Sequence, residues 1–373
     1  MRLRRSSRRR TAGALLLGAV AVACDAPTEP LPPLRDLPAD LASVGFAATG
    51  SLSVPYFMLE LRHPEGFTGF VVVEGAGRPV WYHRTAGSPL GFTRRANGDF
   101  VLLDGERGLV EVTAAGHPVR VLPQEARPGR RMHHDVISTP AHTILFLAED
   151  WRRHDGAPVN GEALWEWDPE GGVTVKRWSA WNHLDPLLDS GARSRPDDWL
   201  HANALAIGAR GNVLVSFHFL DQVVSLDPTF LTVEWRLGGT RATIAVDDPF
   251  SGQHTAQEVA PHRLLLFDNG FELPDRRYSR AVEYRIEGSH ARVAWQWQPP
   301  RDNWARVISG ARRLPGGGTL VGFGTPAGMP AGSTGPIEVY EVTAAGAVAW
   351  HLEIGGAVSS MYRASPVFSL QRP

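Results

Sequence analysis

Residues 201–226 read HANALAIGARGNVLVSFHFLDQVVSL. Three short apolar and β-branched runs follow one another here, and a Gly-rich turn at 208–211 separates the first two. Runs of this length, bounded by Gly, Asn and Asp, predict strands rather than helices. A fourth strand follows and ends near Trp235. The stretch therefore predicts a unit of four antiparallel strands that begins at a histidine.

The same unit recurs along the chain from about residue 45. Its clearest copies begin at Gly69, Gly98, His134, His201, His254 and Ser309. The closing strands carry Trp81, Trp178, Trp235, Trp295 and Trp350. Such repetition predicts an all-β, six-bladed β-propeller with four-stranded antiparallel blades around a central channel. A β-sandwich is the main alternative, but it would not repeat in this way. The insert at 179–198 is predicted to be a loop.

Three histidines occupy the same position in their units. His134, His201 and His254 each stand just before the first strand of their unit. The first strand of a propeller blade lines the central axis. We therefore expect the three side chains to converge at one mouth of the channel, although about 120 residues separate the first from the last.

Further polar residues fall at the same mouth. The second strand runs antiparallel to the first, so its end returns to the same rim, which places His218 and Asn269 there. Asn203 lies two residues after His201, on the same side of an extended chain. In an extended segment His133 would point away from His134. A single histidine is usually a packing or surface residue, whereas three in register favour a functional cluster.

The N-terminal residues differ from the rest. Arg-rich residues 2–10 precede an apolar run at 12–23, which predicts an export signal over residues 1–23. The run is shorter than a membrane span. Both the general secretory route and the twin-arginine route suit this segment. We expect residues 24–45 to be a Pro-rich tether led by Cys24, and residues 46–373 to be the propeller domain.

Cys24 is the only cysteine, so an internal disulfide is excluded. It follows Ala21, Val22 and Ala23, and this resembles a bacterial lipobox, although Ala21 replaces the usual leucine. The alternative is an ordinary signal whose cleavage site lies beside a cysteine. We predict lipidation at Cys24, and hence a periplasmic or cell-envelope lipoprotein whose sole contact with the membrane is this anchor.

Composition excludes other classes of partner. The formal net charge is -1, so the chain lacks the excess of basic residues that would indicate binding to nucleic acid. No Gly-rich phosphate loop precedes a helix, so a nucleotide donor is not indicated. The sequence contains no close His-x-His pair and no dense acidic cluster, so it does not predict a metal site. It also predicts no cofactor.

Several motifs, in order from about residue 130 to the C-terminus, resemble the bacterial PAPS-independent arylsulfotransferases, which are six-bladed propellers. The matching segments are His133-His134-Asp135-Val136, Asp198-Trp199-Leu200-His201-Ala202-Asn203, Glu234-Trp235-Arg236-Leu237-Gly238-Gly239, Gln253-His254, Phe267-Asp268-Asn269-Gly270, Ser279-Arg280-Ala281-Val282-Glu283-Tyr284 and Met361-Tyr362-Arg363-Ala364.

The resemblance implies a ping-pong sulfotransferase. A sulfuryl group would pass from an aryl sulfate to a histidine, giving a sulfohistidine, and then to a phenolic acceptor. His254 would be the nucleophile. His134 and His201 would be acid/base or oxygen-stabilising groups, and Asn203 would be a further donor. We also expect Asn269, Arg280 and Arg363 to bind substrate.

One position departs from the family pattern. An arginine usually follows the second strand of the His201 unit, whereas this chain has His218 there. A guanidinium is always charged and binds two sulfate oxygens in a fork, but a histidine is charged only part of the time. Either His218 takes over the role, or Arg280 or Arg363 does, or the substrate differs.

Two alternative functions stay open from the sequence. A lipid-anchored binding propeller without turnover would suit the loss of that arginine. A metal- or quinone-dependent propeller enzyme would also place several histidines at one channel mouth.

Overall fold

The computed structural model of the chain describes residues 37–371, except residues 64, 128, 272, 274, 327, 329–331 and 357. Its regular structure is almost entirely β. The helical pieces are short: one turn of α-helix, α1, and two 3-10 turns, at Ala39–Ala42, Ala180–Asn182 and His218–Leu220 respectively. Beyond Ser179, which ends the preceding strand, the 179–198 insert contains one of these turns and no strand, as predicted for a loop.

The strands follow one another as antiparallel hairpins. The first half of the chain contains β1 (Gly45–Gly50), β2 (Tyr56–Arg62), β3 (Gly69–Glu74), β4 (Pro79–Arg84), β5 (Pro89–Arg94), β6 (Phe100–Asp104), β7 (Gly108–Val112), β8 (Pro118–Pro123), β9 (Met132–Ser138), β10 (Ile144–His154), β11 (Ala157–Asp168) and β12 (Val173–Ser179).

The second half contains β13 (Ala202–Ile207), β14 (Val213–Phe217), β15 (Gln222–Leu226), β16 (Val233–Leu237), β17 (Ala245–Val246), β18 (His254–Ala260), β19 (Arg263–Asp268), β20 (Arg280–Glu287), β21 (His290–Trp297), β22 (Gly310–Arg313), β23 (Thr319–Phe323), β24 (Ile337–Val342), β25 (Val348–Gly355) and β26 (Ser360–Val367).

These strands form six small sheets, the blades of a propeller. The first blade has the order β26-β2-β3-β4, and β5–β8, β9–β12 and β13–β16 form the next three. The fifth blade is β18–β21 with β17 at its outer edge, and the sixth is β22–β25 with β1 at its outer edge. The predicted all-β, six-bladed propeller is confirmed.

Strands from the two ends of the described chain complete the first and sixth blades and so close the ring of blades. The late strand β26 is the inner strand of the first blade and pairs with β2, while the early strand β1 pairs with β25 of the sixth blade. Pairing both strands leaves their backbone groups bonded rather than exposed at an open edge. The predicted starting points of the first two units, Gly69 and Gly98, were wrong. The second blade begins earlier, at β5, and the inner strand of the first blade is β26, from the far end of the chain.

The core lies between neighbouring blades. Every residue of the middle strands β6, β7, β14 and β15 is buried, because the blades on either side cover both faces. This double burial explains the continuous apolar runs in the sequence. The tryptophans predicted to close the units lie on the fourth strands, and Trp350 is fully buried and donates from Nε1 to the carbonyl of Gly75 at 2.7 Å.

The predicted export signal and Cys24 lie outside the described residues. Within the predicted tether, Leu41 is fully buried among apolar residues of the first and sixth blades, and Leu37 and Val44 pack against the same cluster. The described part of that segment is therefore folded against the propeller. In the described parts of the chain, no helix has the length and apolar character needed to span a membrane.

Candidate active site

The inner strands are irregular at one mouth of the channel. β9, β13, β18 and β26 each contain a β-bulge near the rim, at 134–135, 203, 255–256 and 362–363 respectively. His134 and His201 have positive φ values of 59° and 52°. A bulge breaks the alternation of side chains along a strand and re-aims them, which is common beside active sites.

The bulge changes the expected directions of His133 and His134. The segment is not extended, so the two rings meet instead of pointing apart: their Nδ1 atoms are 2.9 Å apart and their centroids 5.0 Å apart. His133 therefore belongs to the site, which simple alternation along a strand did not predict.

Four imidazoles and a phenol form a closed ring around this mouth. Successive centroids are 4.6 Å apart for His134 and His201, then 5.2 Å for His201 and His218, and 5.2 Å for His218 and His254. Tyr362 completes the circuit at 6.3 Å from His254 and 6.1 Å from His134. The structure thus brings together all four histidines that the sequence assigned to catalysis.

Hydrogen bonding fixes the tautomer of His254. Asn269 donates from Nδ2 to the carbonyls of Ala305 at 2.7 Å and Ile308 at 2.9 Å. Its Oδ1 must then be the atom that faces Nδ1 of His254, at 2.8 Å. Since an amide oxygen only accepts, Nδ1 of His254 carries the hydrogen and Nε2 carries the lone pair.

Burial also keeps His254 neutral. It lowers the pKa of His254 to about 3, against the opposing effect of the bond to Asn269. The side chain is therefore an uncharged imidazole at neutral pH, with its unprotonated nitrogen at Nε2. An imidazole in this state is a competent nucleophile.

His201 is held by a carboxylate and an aromatic ring. Its Nδ1 lies 2.5 Å from Oδ2 of Asp198, and the ring stacks on Phe219 with centroids 4.6 Å apart. The carboxylate orients the imidazole so that Nε2 is the nitrogen left for substrate. The motif containing Asp198 was recognised in the sequence, but this orienting role was not.

His218 lies between His201 and His254 and is 4% exposed. Burial lowers the pKa of His218 well below its ordinary value, and the neighbouring His254 and His201 act in the same direction. The position where the family carries an arginine therefore holds a neutral ring at pH 7.

The two arginines predicted to bind substrate are engaged in ion pairs instead. Arg363 contacts Asp135 at 2.9 Å and donates to the carbonyls of His134 and Asn203 at 3.3 and 3.1 Å. It ties β26 to the inner strands that carry the histidines. Through these contacts it supports the ring.

Arg280 lies away from the ring. It contacts Asp268 at 3.0 Å and Asp248 at 2.5 Å, and it donates to Gln296 at 2.7 Å and to the hydroxyl of Tyr284 at 3.4 Å. With its donors directed at these partners, Arg280 is placed as a structural residue of the fifth blade.

Of the two predicted asparagines, Asn269 orients His254 from behind. Asn203 is fully buried and donates from Nδ2 to the carbonyl of Gln253 at 2.8 Å. Its backbone carbonyl accepts from the hydroxyl of Tyr362 at 3.3 Å. Asn203 therefore joins β13 to the residue before β18, whereas Asn269 joins His254 to the loop before β22.

A cleft of about 230 Å³ opens beside His134 and His201. Its other lining residues are charged or polar: Arg127, Arg131, His133, Glu149, Asn160, Glu162, Arg195, Asp197 and Asp198. Outside this cleft lining, Phe271 lies 5.8 Å from His218, with the guanidinium of Arg306 over its face at 4.5 Å. Among the residues that the structure describes, no group of three or more His, Cys, Asp or Glu side chains is arranged to hold a metal ion.

One solved structure shares the fold at low identity, and two others match with lower TM-scores. A protein of unknown function from Bacteroides caccae matches over 84% of this chain and 100% of its own, with 13% identity and a TM-score of 0.56. A catalytically inactive virginiamycin B lyase from Staphylococcus aureus, solved with quinupristin, matches over 84% and 99%, with 6% identity and a TM-score of 0.43. A protein from Lactobacillus plantarum matches over the same shares, with 11% identity and a TM-score of 0.43. No curated protein matches significantly.

The family comparison covers most of the propeller. The arylsulfotransferase (ASST) family profile matches residues 55–363, from the first strand of the first blade to the bulge on β26 that carries Tyr362 and Arg363. This range includes every histidine of the ring. The chain therefore belongs to the arylsulfotransferase family of transferase enzymes.

Proposed function

We propose that this chain transfers a sulfuryl group from an aryl sulfate to a phenol by a ping-pong mechanism, through a sulfohistidine at Nε2 of His254. The observation that carries the proposal is the bond between His254 and Asn269, which leaves the lone pair on Nε2. The low pKa of His254 keeps that lone pair available at neutral pH.

In the first half-reaction the Nε2 lone pair attacks sulfur. The bond between sulfur and the aryl oxygen breaks, and its electron pair leaves on the phenolate. By analogy with phosphoryl transfer, the transition state is loose and its charge spreads over the peripheral oxygens. In the second half-reaction the oxygen of an acceptor phenol attacks the same sulfur, and the electron pair of the S–N bond returns to Nε2.

Two other rings of the mouth supply neutral donors for the sulfate ester. His134 and His218 both have pKa values well below the ordinary one, mainly because they are buried. The N–H of His218 would bind a sulfuryl oxygen and that of His134 the aryl oxygen, in each case without a formal charge. Preorganised donors of this kind act strongly where water is excluded.

Two aromatic rings lie beside the histidines of the mouth. Phe219 stacks on His201, and Phe271 contacts His218. Offset or edge-on contact with such rings contributes about 0.5–1.5 kcal/mol beyond the burial of area. We propose that the donor and acceptor rings contact the edges of these two side chains in turn.

Intact mass spectrometry tests the covalent step. The protein is incubated with 4-nitrophenyl sulfate without acceptor, and we expect a mass increase of one SO₃ group that a phenol then removes. His254→Ala should form no adduct, whereas His290→Ala, at an exposed histidine on β21, should form it normally. An adduct of full yield in His254→Ala would refute the assignment of the nucleophile.

The neutral His218 favours one second candidate function, a binding propeller that retains aryl sulfates without turnover. Calorimetry with 4-nitrophenyl sulfate separates the two functions. Saturable binding with neither adduct nor release of 4-nitrophenol would support the binding function.

We also propose export and lipid anchoring at Cys24. The support is the order of basic residues, apolar run and cysteine in residues 1–24. The catalytic mouth would then act outside the cytoplasm.

A further inference from the structure

A second histidine and a buried carboxylate stand behind His134. Nδ1 of His133 is 2.9 Å from Nδ1 of His134, and Nε2 of His133 is 2.9 Å from Oε2 of Glu162 on β11. The Glu162 side chain is 3% exposed and His133 15%. The other oxygen of Glu162 accepts from the backbone N–H of Ala202 at 3.0 Å, which fixes the carboxylate beside the ring.

The short contact between two Nδ1 atoms requires that one donate and the other accept. If His133 donates, His134 has its lone pair at Nδ1 and its hydrogen at Nε2. If His133 accepts, His134 has its hydrogen at Nδ1 and its lone pair at Nε2. The state of His133 therefore decides whether Nε2 of His134 is an acid or a base.

Protonation of the pair formed by Glu162 and His133 determines whether Nδ1 of His133 donates or accepts. When the pair of His133 and Glu162 holds one proton beyond the neutral imidazole and carboxylate, Nδ1 of His133 keeps a hydrogen, whichever partner holds the shared proton. When that proton is lost, the remaining hydrogen of His133 lies at Nε2 beside the carboxylate, and Nδ1 becomes an acceptor.

We propose that Glu162, His133 and His134 form a proton relay that makes Nε2 of His134 the acid of the first half-reaction and the base of the second. Glu162 and His133 act as positioning and relay residues behind His134, which contacts the substrate. This inference rests on the proposed sulfuryl transfer and assigns its proton path.

The proton balance closes over one cycle. As the phenolate leaves, Nε2–H of His134 protonates it, and Nδ1–H of His133 moves to Nδ1 of His134. The pair of His133 and Glu162 has then lost one proton, and Nε2 of His134 holds a lone pair. The acceptor phenol gives its proton to this nitrogen as its oxygen attacks sulfur, and Nδ1–H of His134 returns to His133.

The electrostatics of the site suit this division. Burial, followed by the neighbouring histidines, lowers the pKa of His134 well below its ordinary value. Burial also opposes charge on His133, but the carboxylate of Glu162 outweighs it and the pKa of His133 is raised. The relay lets His134 act on both half-reactions without becoming an imidazolium itself.

Charges of both signs surround His133. Glu162 from β11, Glu149 from β10 and Asp198 from the loop before β13 favour its protonated form. The arginines that line the same cleft are Arg127, Arg131 and Arg195. Arg127 is paired with Glu149, and Arg195 lies 3.7 Å from Asp198, so their charges are partly offset. The cleft gives the partly exposed His133 access to water, from which the pair of His133 and Glu162 can regain its proton.

The leaving group provides the sharpest test. Phenyl sulfate releases a phenol with a pKa of about 10, which needs a proton, whereas 4-nitrophenyl sulfate releases a much more acidic phenol. General acid catalysis contributes about 10²–10⁴-fold. For Glu162→Gln and His133→Gln we therefore expect about a 100-fold loss of kcat/KM on phenyl sulfate and a loss below about fivefold on 4-nitrophenyl sulfate. His290→Gln, at an exposed histidine, serves as the matched control.

An equal loss on both donors would mean a purely structural role and would overturn the relay, as would no loss on either. A second measurement needs neither turnover nor a variant: ¹⁵N NMR of labelled histidines should show His134 changing from the Nε2–H to the Nδ1–H tautomer as His133 deprotonates. A single His134 tautomer at every pH would also overturn the relay. Absence of turnover on any aryl sulfate would refute the proposed function instead, and the NMR result would still decide the relay.

Discussion

Oδ1 of Asn269 accepts the Nδ1–H of His254 at 2.8 Å, while both hydrogens of the same amide are directed at backbone carbonyls. The two bonds to backbone carbonyls set the orientation of the amide independently of the histidine. The tautomer of His254 is thus imposed by the backbone of the loop that precedes β22. A nucleophile oriented in this way needs no carboxylate partner, which would favour its protonation.

The first prediction concerns pH. Burial places the pKa of His254 at about 3, so the ring keeps its lone pair from pH 8 down to pH 5. We expect the rate of adduct formation from 4-nitrophenyl sulfate to show no acid limb from His254 in that range. A histidine of ordinary pKa, about 6.5, would be mostly protonated at pH 5. Stopped-flow release of 4-nitrophenol measures the rate, and a tenfold fall with a midpoint near pH 6.5 would contradict the prediction.

The second prediction separates the catalytic role of His254 from its structural one. His254→Ala should abolish the adduct and also lower the free energy of unfolding by about 1–3 kcal/mol, because Oδ1 of Asn269 loses its partner in a buried site. Urea denaturation measures the second effect. His254→Gln offers a polar side chain of closer size, and should recover part of the stability but none of the adduct. Recovery of both would mean that another group attacks sulfur.

The third prediction restores the charge that the family carries at the position of His218. Hydrogen bonds to charged groups contribute about 1.5–3 kcal/mol, so a guanidinium should lower the KM for an aryl sulfate about tenfold. We therefore expect His218→Arg to bind the donor more tightly while retaining turnover. His218→Gln, which adds no charge, is the control. A complete loss of transfer in His218→Arg, with the fold intact by circular dichroism, would show that this mouth works only with a neutral ring.

The fourth prediction tests the structural placement of Arg280. Removing one member of a buried ion pair costs about 3–5 kcal/mol, and Arg280→Met leaves Asp268 with Arg276 as its other cationic partner. We expect a loss of about 3 kcal/mol in the free energy of unfolding, with the KM for the donor unchanged. A variant of unchanged stability with a raised KM would show that Arg280 binds substrate.

The fifth prediction concerns anchoring. Cys24→Ser should move the protein from the membrane fraction to the soluble fraction of cells and abolish metabolic labelling with radioactive palmitate. Turnover in the soluble fraction should be retained, since residue 24 lies outside the range 55–363 that matches the family profile. Unchanged fractionation of the variant would refute lipid anchoring.

The repeated strands, the six blades and the meeting of four histidines could be predicted from the sequence. The prediction works because β-strands alternate regularly, and because neighbouring blades cover the middle strands on both faces. His134, His201 and His254 hold the same position in successive repeats, so their convergence follows from the symmetry of the fold.

The finer parts of the site depend on departures from that regularity. The bulge at 134–135 turns His133 towards His134, although strict alternation would separate them. The ion pairs of Arg280 and Arg363 could not be predicted, because their partners Asp268 and Asp135 meet them only through tertiary contacts. The placement of Tyr362 depends on β26 joining a blade that begins some 300 residues earlier in the chain.

That joining strand has a consequence for folding. Tyr362 and Arg363 reach the mouth only when β26 is inserted beside β2. A chain whose other strands have folded already carries every histidine of the mouth, yet it lacks one wall of it. Insertion of β26 therefore closes the first blade and completes the site in one step.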